Sequence, residues 1–116
     1  MSVRRVVPDI TSEATMEENR EFYGRLGFEE VMNLGWVMTL ASPTDPAAQV
    51  TFMEHDATAP VVPDMSIEVD DVDAVHAAVL AAGAEIVHPL RDEAWGVRRF
   101  FVRDPNGRVV NVLSHG

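Results

Sequence analysis

Cysteine and lysine are both absent from this chain of 116 residues. Without cysteine there is no disulfide framework, no thiolate metal site and no cysteine nucleophile. Without lysine, nine arginines stand against 19 aspartates and glutamates, and the formal net charge is -10. A phosphate backbone is held by clustered basic side chains, so this balance argues against a nucleic-acid partner. Acidity instead favours solubility, and it attracts cationic small molecules. No apolar run reaches the roughly 18 residues that a bilayer crossing needs, so no membrane partner is expected. The start, Met1-Ser2-Val3-Arg4-Arg5, gives way to Pro8 and Asp9 where a signal peptide would continue its apolar stretch. A cytoplasmic protein is expected. Apolar residues make up 47% of the chain, which at this length suits a single domain spanning residues 1–116 around one core.

What is present is a pattern stated twice. Residues 3–8 are β-prone, and Thr11 or Ser12 is placed to cap a helix containing Met16, Phe22, Tyr23 and Leu26, with Gly27 ending it. Strands are predicted over 28–33, 36–41 and 49–53, the last two separated by the proline-bearing loop 42–46. The second half repeats the order. A strand over 65–69 leads to Asp70 or Asp71 as cap of a helix whose Val72, Val75, Val79 and Ala82 share one face, and Gly83 ends it. Three more strands follow over 85–88, 97–103 and 108–113. The last two are joined by Asp104-Pro105-Asn106-Gly107, a type I turn with a left-handed glycine. The spacing predicts two βαβββ modules, about 1–56 and 64–116, joined by the extended linker 57–63 with its two prolines. Aligning the halves sets 49–55 against 109–115 and pairs Thr51 with Asn111.

Three segments carry a family resemblance: Glu21-Phe22-Tyr23-Gly24-Arg25-Leu26-Gly27-Phe28, Glu68-Val69-Asp70-Asp71-Val72-Asp73-Ala74, and Trp95-Gly96 through Asp104-Pro105-Asn106-Gly107. With them the chain resembles the vicinal oxygen chelate superfamily, the fold group of glyoxalase I, bleomycin-resistance proteins and extradiol dioxygenases. The resemblance implies an α+β fold in which two βαβββ modules form paired curved mixed sheets around a cleft, commonly as a homodimer. In metal-dependent members it implies His, Glu or Gln ligands on the first and last strands of each module. Carried onto this chain, those positions read Arg5, Thr51, Asp64 and Asn111. Arginine is a permanent cation, and Thr and Asn are weak neutral donors, so only Asp64 suits a divalent ion. The family's Gly-x-x-x-Glu-Leu becomes Gly107-Arg108-Val109-Val110-Asn111-Val112, without its carboxylate. A register placing Glu54 or Glu68 inward would restore part of a metal site. His55, His76, His88 and His115 show no paired ligand spacing, and no metal or other cofactor is expected.

If the last hairpin has a three-residue loop with a glycine bulge, Phe101 opposes Asn111 and Arg99 opposes Leu113. Arg99 and Phe101 then share the face of Asn111, while Arg98 and Phe100 turn toward the helices or a partner. Trp36 and Trp95 are the large groups able to wall a cavity, or equally to pack a core, and Asp92 and Glu93 read as loop charges near its mouth. The candidate ligand-binding residues are therefore Trp36, Thr51, Asp64, Trp95, Arg99, Phe101 and Asn111, with no catalytic residue assigned. The expected function, similar to the bleomycin-resistance branch, is metal-free binding of a small cationic or aromatic molecule. The alternatives are a metal-dependent glyoxalase-like lyase or isomerase, a dioxygenase-type enzyme, and a cofactor-free enzyme using Arg99 and Asp64.

Overall fold

A computed structural model describes residues 2–115. The chain divides into two compact units. Val7–Val62 form the first, and the chain from Pro63 onward, with the residues up to Val6, forms the second.

Strand β1 runs over Val3–Thr11, three residues beyond its predicted end at Pro8. Its ladder to β4 begins just after that proline, which has no N–H to give. Helix α1 spans Met16–Gly24, and its cap is Thr15 rather than Thr11 or Ser12. The reason is competition from β4, a strand distant in sequence. Thr11 is still paired with Met53, and the Ser12 N–H donates to the Met53 carbonyl at 2.7 Å. Thr15 closes a capping box: its hydroxyl accepts from the Glu18 N–H at 3.1 Å, and the Glu18 carboxylate accepts from the Thr15 N–H at 3.0 Å. That backbone hydrogen bond is the main cause holding the Glu18 carboxyl below its ordinary range. The helix also ends earlier than predicted, at Gly24, and Gly27 closes the following turns at φ 108°.

Strands β2 (Glu29–Asn33), β3 (Val37–Ala41) and β4 (Gln49–Met53) form an antiparallel meander, and β4 pairs in parallel with β1. Period two assigns the faces. Met38, Leu40, Val50 and Phe52 bury against Met16, with Tyr23 and Phe28 packed beside them. Phe22 and Leu26, expected in the same helix, are exposed. Adjacent helical residues diverge by about 100°, so Tyr23 takes the core side and Phe22 does not. The opposite sheet face carries Asp9, Thr39 and Thr51 in register.

The second unit repeats the plan: β5 (Met65–Val69), α2 (Val72–Ala81), β6 (Ile86–Asp92), β7 (Val97–Arg103) and β8 (Val109–His115). β5 lies parallel to β8, and β6, β7 and β8 are antiparallel neighbours. Of the two cap candidates Asp71 is used, its side chain accepting from the Ala74 N–H at 3.0 Å. Val72, Val75 and Val79 pack with Phe100, Val102 and Val112, whereas Ala82 has left the helix as its C-cap. β6 runs to Asp92, past its predicted end at His88, because register shifts on both sides of His88 carry the strand over Pro89.

The β7–β8 hairpin has the predicted register, with Phe101 opposite Asn111 and Arg99 opposite Leu113. Asp104 accepts at 2.8 Å from both the Asn106 and Arg108 N–H groups, and Gly107 sits at φ 83°. The Arg108 and Asn106 hydrogen bonds hold the Asp104 carboxyl below its ordinary range. Between the units, residues 57–63 contain neither strand nor helix; Asp56 accepts from the Thr58 N–H and hydroxyl, and Pro63 is buried. No helix among the described residues is long and apolar enough to cross a membrane.

Candidate functional site

The face of the second unit opposite α2 sets buried polar side chains among the apolar Val97, Phe101, Val109 and Leu113. β7 sends Phe100 to the helix side and Arg98 to Asp73 on α2, where Nη2 meets Oδ1 at 2.9 Å. The odd residues Arg99 and Phe101 therefore turn the other way, with Asn111 of β8 and His88 of β6. His88, Arg99 and Asn111 are only 3%, 4% and 6% exposed.

Glu93 organises this face. It opens a three-residue loop after β6 in which its N–H donates to the Val97 carbonyl at 2.7 Å and Gly96 takes φ 92°. A side chain at Gly96 would be strained in that conformation. The loop turns the Glu93 carboxylate inward, where Oε1 accepts from Arg91 Nε at 3.0 Å and Arg99 Nε at 3.3 Å and lies 3.0 Å from His88 Nε2. Burial alone pushes the Glu93 carboxyl up. The hydrogen bonds from His88 and Arg91, with the charge and hydrogen bond of Arg99, outweigh it, so the group titrates below the ordinary glutamate range.

The same loop places Trp95 over Arg99, whose Cζ lies 4.9 Å from the indole ring and 4.9 Å from the Phe101 ring. His88 in turn packs on Phe101 with ring centroids 4.9 Å apart. Asn111 donates from Nδ2 to Ser66 Oγ at 3.0 Å, while its buried Oδ1 has no hydrogen-bond partner among the described residues. On the neighbouring strand positions, Glu68 forms an ion pair with Arg5, whose Nε lies 2.9 Å from Oε1, and its Oε2 lies 3.0 Å from His115 Nδ1.

Of the residues singled out from sequence, Trp95, Arg99, Phe101 and Asn111 are brought together here. Thr51 and Trp36 belong to the first unit, where the Thr51 hydroxyl is 2.8 Å from that of Thr39 and Trp36 stands half-buried before β3. Asp64 has a backbone role: its Oδ2 accepts from the Val109 N–H at 2.9 Å and its own N–H donates to the Val109 carbonyl. His88 and Glu93 were not among the candidates, since each reads in isolation as a surface or loop group. Their signal was the Glu93-Ala94-Trp95-Gly96-Val97 turn, which has the same three-residue form as the Asp104 hairpin and so turns its first carboxylate back on its own strands.

The donor set does not fit a divalent metal. Across from Thr51 the register places Asp9, four residues after Arg5, and across from Asn111 it places Ser66, two after Asp64. Taken separately, the pair in the first unit offers one carboxylate and the pair in the second offers none, and the Thr51 and Asn111 side chains are engaged by Thr39 and Ser66. Glu68 does face this side, but it is held between Arg5 and His115. Among the described residues no three His, Asp or Glu side chains converge.

Solved structures with this fold are numerous. An NAD-dependent benzaldehyde dehydrogenase from Legionella pneumophila superposes with a TM-score of 0.70 at 15% identity, covering 96% of this chain and 97% of that one. A glyoxalase/bleomycin resistance protein/dioxygenase superfamily member from Vibrio splendidus 12B01 gives 0.69 at 19% identity, over 97% and 99%. Methylmalonyl-CoA epimerase from Mycobacterium tuberculosis gives 0.66 at 19%, over 98% and 87%. At these identities the likeness is one of fold. No curated protein matches in sequence. The profile of the Glyoxalase/Bleomycin resistance protein/Dioxygenase superfamily matches residues 13–112, from just before α1 into β8, and the chain belongs to that superfamily.

Proposed function

We propose that the protein binds a small planar aromatic molecule without a metal, on the second unit where Trp95 covers Arg99. The observation that carries this reading is the buried His88–Glu93–Arg99 cluster beneath a tryptophan that remains 39% exposed. Charges buried in place of apolar side chains seldom add stability, and such clusters gather at functional sites. Trp95 is backed by a guanidinium and presents its remaining indole surface to solvent. Two arginines, Arg91 and Arg99, meet one carboxylate there, so an aromatic ligand suits the position better than a cation does. Glu93 serves as an anchor, because His88, Arg91 and Arg99 all meet its Oε1. The neutral donors at Ser66 and Asn111 support binding without metal chemistry.

The test is a thermal-shift screen of planar aromatic metabolites and antibiotics, run beside titrations with Zn, Ni, Mn and Fe on protein purified without chelator. A hit at about one hundred times its Kd should add roughly 2.7 kcal/mol of stability, and Trp95→Ala should weaken it about tenfold or more. A stoichiometric bound metal, or a ligand shift indifferent to Trp95→Ala, refutes the reading. We propose further that the working form is a homodimer, supported by the exposed apolar side chains Val3, Phe22, Leu26, Val31 and Leu34. Light scattering giving a mass near the 12.8 kDa of one chain refutes that part.

A further inference from the structure

The chain holds four asparagines, Asn19, Asn33, Asn106 and Asn111, and only Asn106 precedes a glycine. That neighbour matters chemically. The backbone nitrogen after an asparagine is placed to attack the Cγ of that asparagine, and a side chain on the attacking residue obstructs the approach that glycine leaves open. The other three are also held by the fold. Asn19 lies inside α1 with its Nδ2 donating to Ser12 Oγ at 2.7 Å, and the Asn33 Oδ1 accepts from the Gly35 N–H at 2.9 Å. Asn111 is 6% exposed, with its Nδ2 on Ser66. Asn106 is exposed at the tip of the β7–β8 hairpin.

We propose that Asn106–Gly107 is a self-modifying site, at which the Gly107 nitrogen displaces the side-chain amide of Asn106. The Gly107 nitrogen gives up its proton and bonds to Asn106 Cγ, the Cγ–Nδ2 bond breaks, and Nδ2 leaves with that proton as ammonia. Water then adds to one carbonyl of the resulting succinimide and opens the ring. Breaking the bond from nitrogen to Cγ gives aspartate, and breaking the bond to the main-chain carbonyl carbon gives isoaspartate. The new acid releases its proton to solvent; water is the sole co-reactant, and nothing is oxidised or reduced. The turn governs the rate, because Asp104 holds both reacting groups. Its carbonyl accepts from the Gly107 N–H at 3.1 Å, and its Oδ2 accepts from Asn106 Nδ2 at 3.4 Å, so attack requires the turn to open. The other charges around it are Arg103, paired with Glu85, and Arg108, 3.7 Å from Asp64. In either product a carboxylate replaces the amide that faces Asp104, and like charges meet where a donor now lies. Isoaspartate also lengthens the backbone of the turn that sets Phe101 opposite Asn111.

The test is incubation of the full chain in mildly alkaline buffer, native and urea-unfolded side by side, followed by peptide mass mapping and isoaspartate detection. The unfolded chain should convert at Asn106 before any other asparagine. The native protein should convert at the same residue about fivefold more slowly, the factor of one net hydrogen bond. Asn106→Ser should keep the fold and abolish the early product. The converted protein, separated by ion exchange through its added negative charge, should unfold at a lower urea concentration than its parent. First conversion at another asparagine, or none in the unfolded chain, overturns the site. Equal rates in the folded and unfolded chain overturn the control by the turn, and a converted protein as stable as its parent overturns the repulsion at Asp104.

Discussion

Replacing Glu93 tests whether one buried carboxylate holds the polar face together. In Glu93→Ala, Arg99 stays 4% exposed but loses the carboxylate that now lies 3.3 Å from its Nε, and His88 and Arg91 lose the same acceptor. Breaking a buried ion pair from one side costs about 3–5 kcal/mol. Arg91 is half in solvent and recovers water, so the lower part of that range, about 3–4 kcal/mol, is expected. For a domain of this size that lowers Tm by roughly 12–16 °C. Glu93→Gln keeps the shape and one acceptor oxygen while losing the charge, and should cost about 2 kcal/mol.

Urea denaturation followed by circular dichroism measures both losses, and pH supplies an independent check. The folded Glu93 carboxyl titrates below its ordinary range, so the native state binds its proton less readily than the unfolded chain. Its contribution is therefore fully present above the unfolded value, about 4.3, and is lost as pH falls through the lower folded value. The gap between wild type and Glu93→Ala should narrow between pH 4 and the onset of acid unfolding, about pH 3. A loss below about 1 kcal/mol at neutral pH, or a gap that stays constant on acidification, refutes the reasoning.

Two further perturbations test the scaffold. Phe100→Ala empties a fully buried position between β7 and α2 and should cost about 3–5 kcal/mol, whereas Arg98→Ala, on the same face but at its exposed edge, should leave the unfolding midpoint nearly unchanged. Thr15→Ala removes one half of the α1 capping box and should cost about 1 kcal/mol, while Thr11→Ala, on an exposed strand position, should stay within about 0.5 kcal/mol. Equal losses at Thr15 and Thr11 would mean that the helix starts where its sequence first permits.

The fold was legible because it rests on periods and turns. The valines of α2, the alternation in β7 and β8, and the Asp104–Gly107 turn each fix a local geometry by themselves, and together they set Phe101 against Asn111. The start of α1 was less legible. Thr11, Ser12 and Thr15 are all competent caps, and the choice falls to a long-range event, the claim of β4 on Thr11 and Ser12. β6 was cut short for a similar reason, since Pro89 reads as a strand breaker until a partner strand absorbs it in a bulge.

The candidate site was legible in part: Trp95, Arg99, Phe101 and Asn111 were read from the sequence, whereas His88 on β6 and Glu93 on the loop after it were not. Arg99, Phe101 and Asn111 sit on strands, so period and register assign their face. Trp95 and Glu93 sit on a loop, where no period applies, and Glu93 becomes central only because a glycine turn folds it back onto side chains five residues before and six after it. The positions carried over from the family resemblance set Arg5 and Asp64 beside Thr51 and Asn111. The parallel ladders place Asp9 and Ser66 there instead. A repeated sequence thus locates the equivalent strands, but the identity of facing side chains depends on inter-strand register, which neither half of the repeat encodes alone. That division explains why the two halves can share a fold while only the second gathers an arginine, a histidine and a glutamate under a tryptophan. The strands are held by the shared pattern. The Glu93 loop has its formal counterpart in the turn before β3, where the Leu34 N–H donates to the Val37 carbonyl and no carboxylate is folded back.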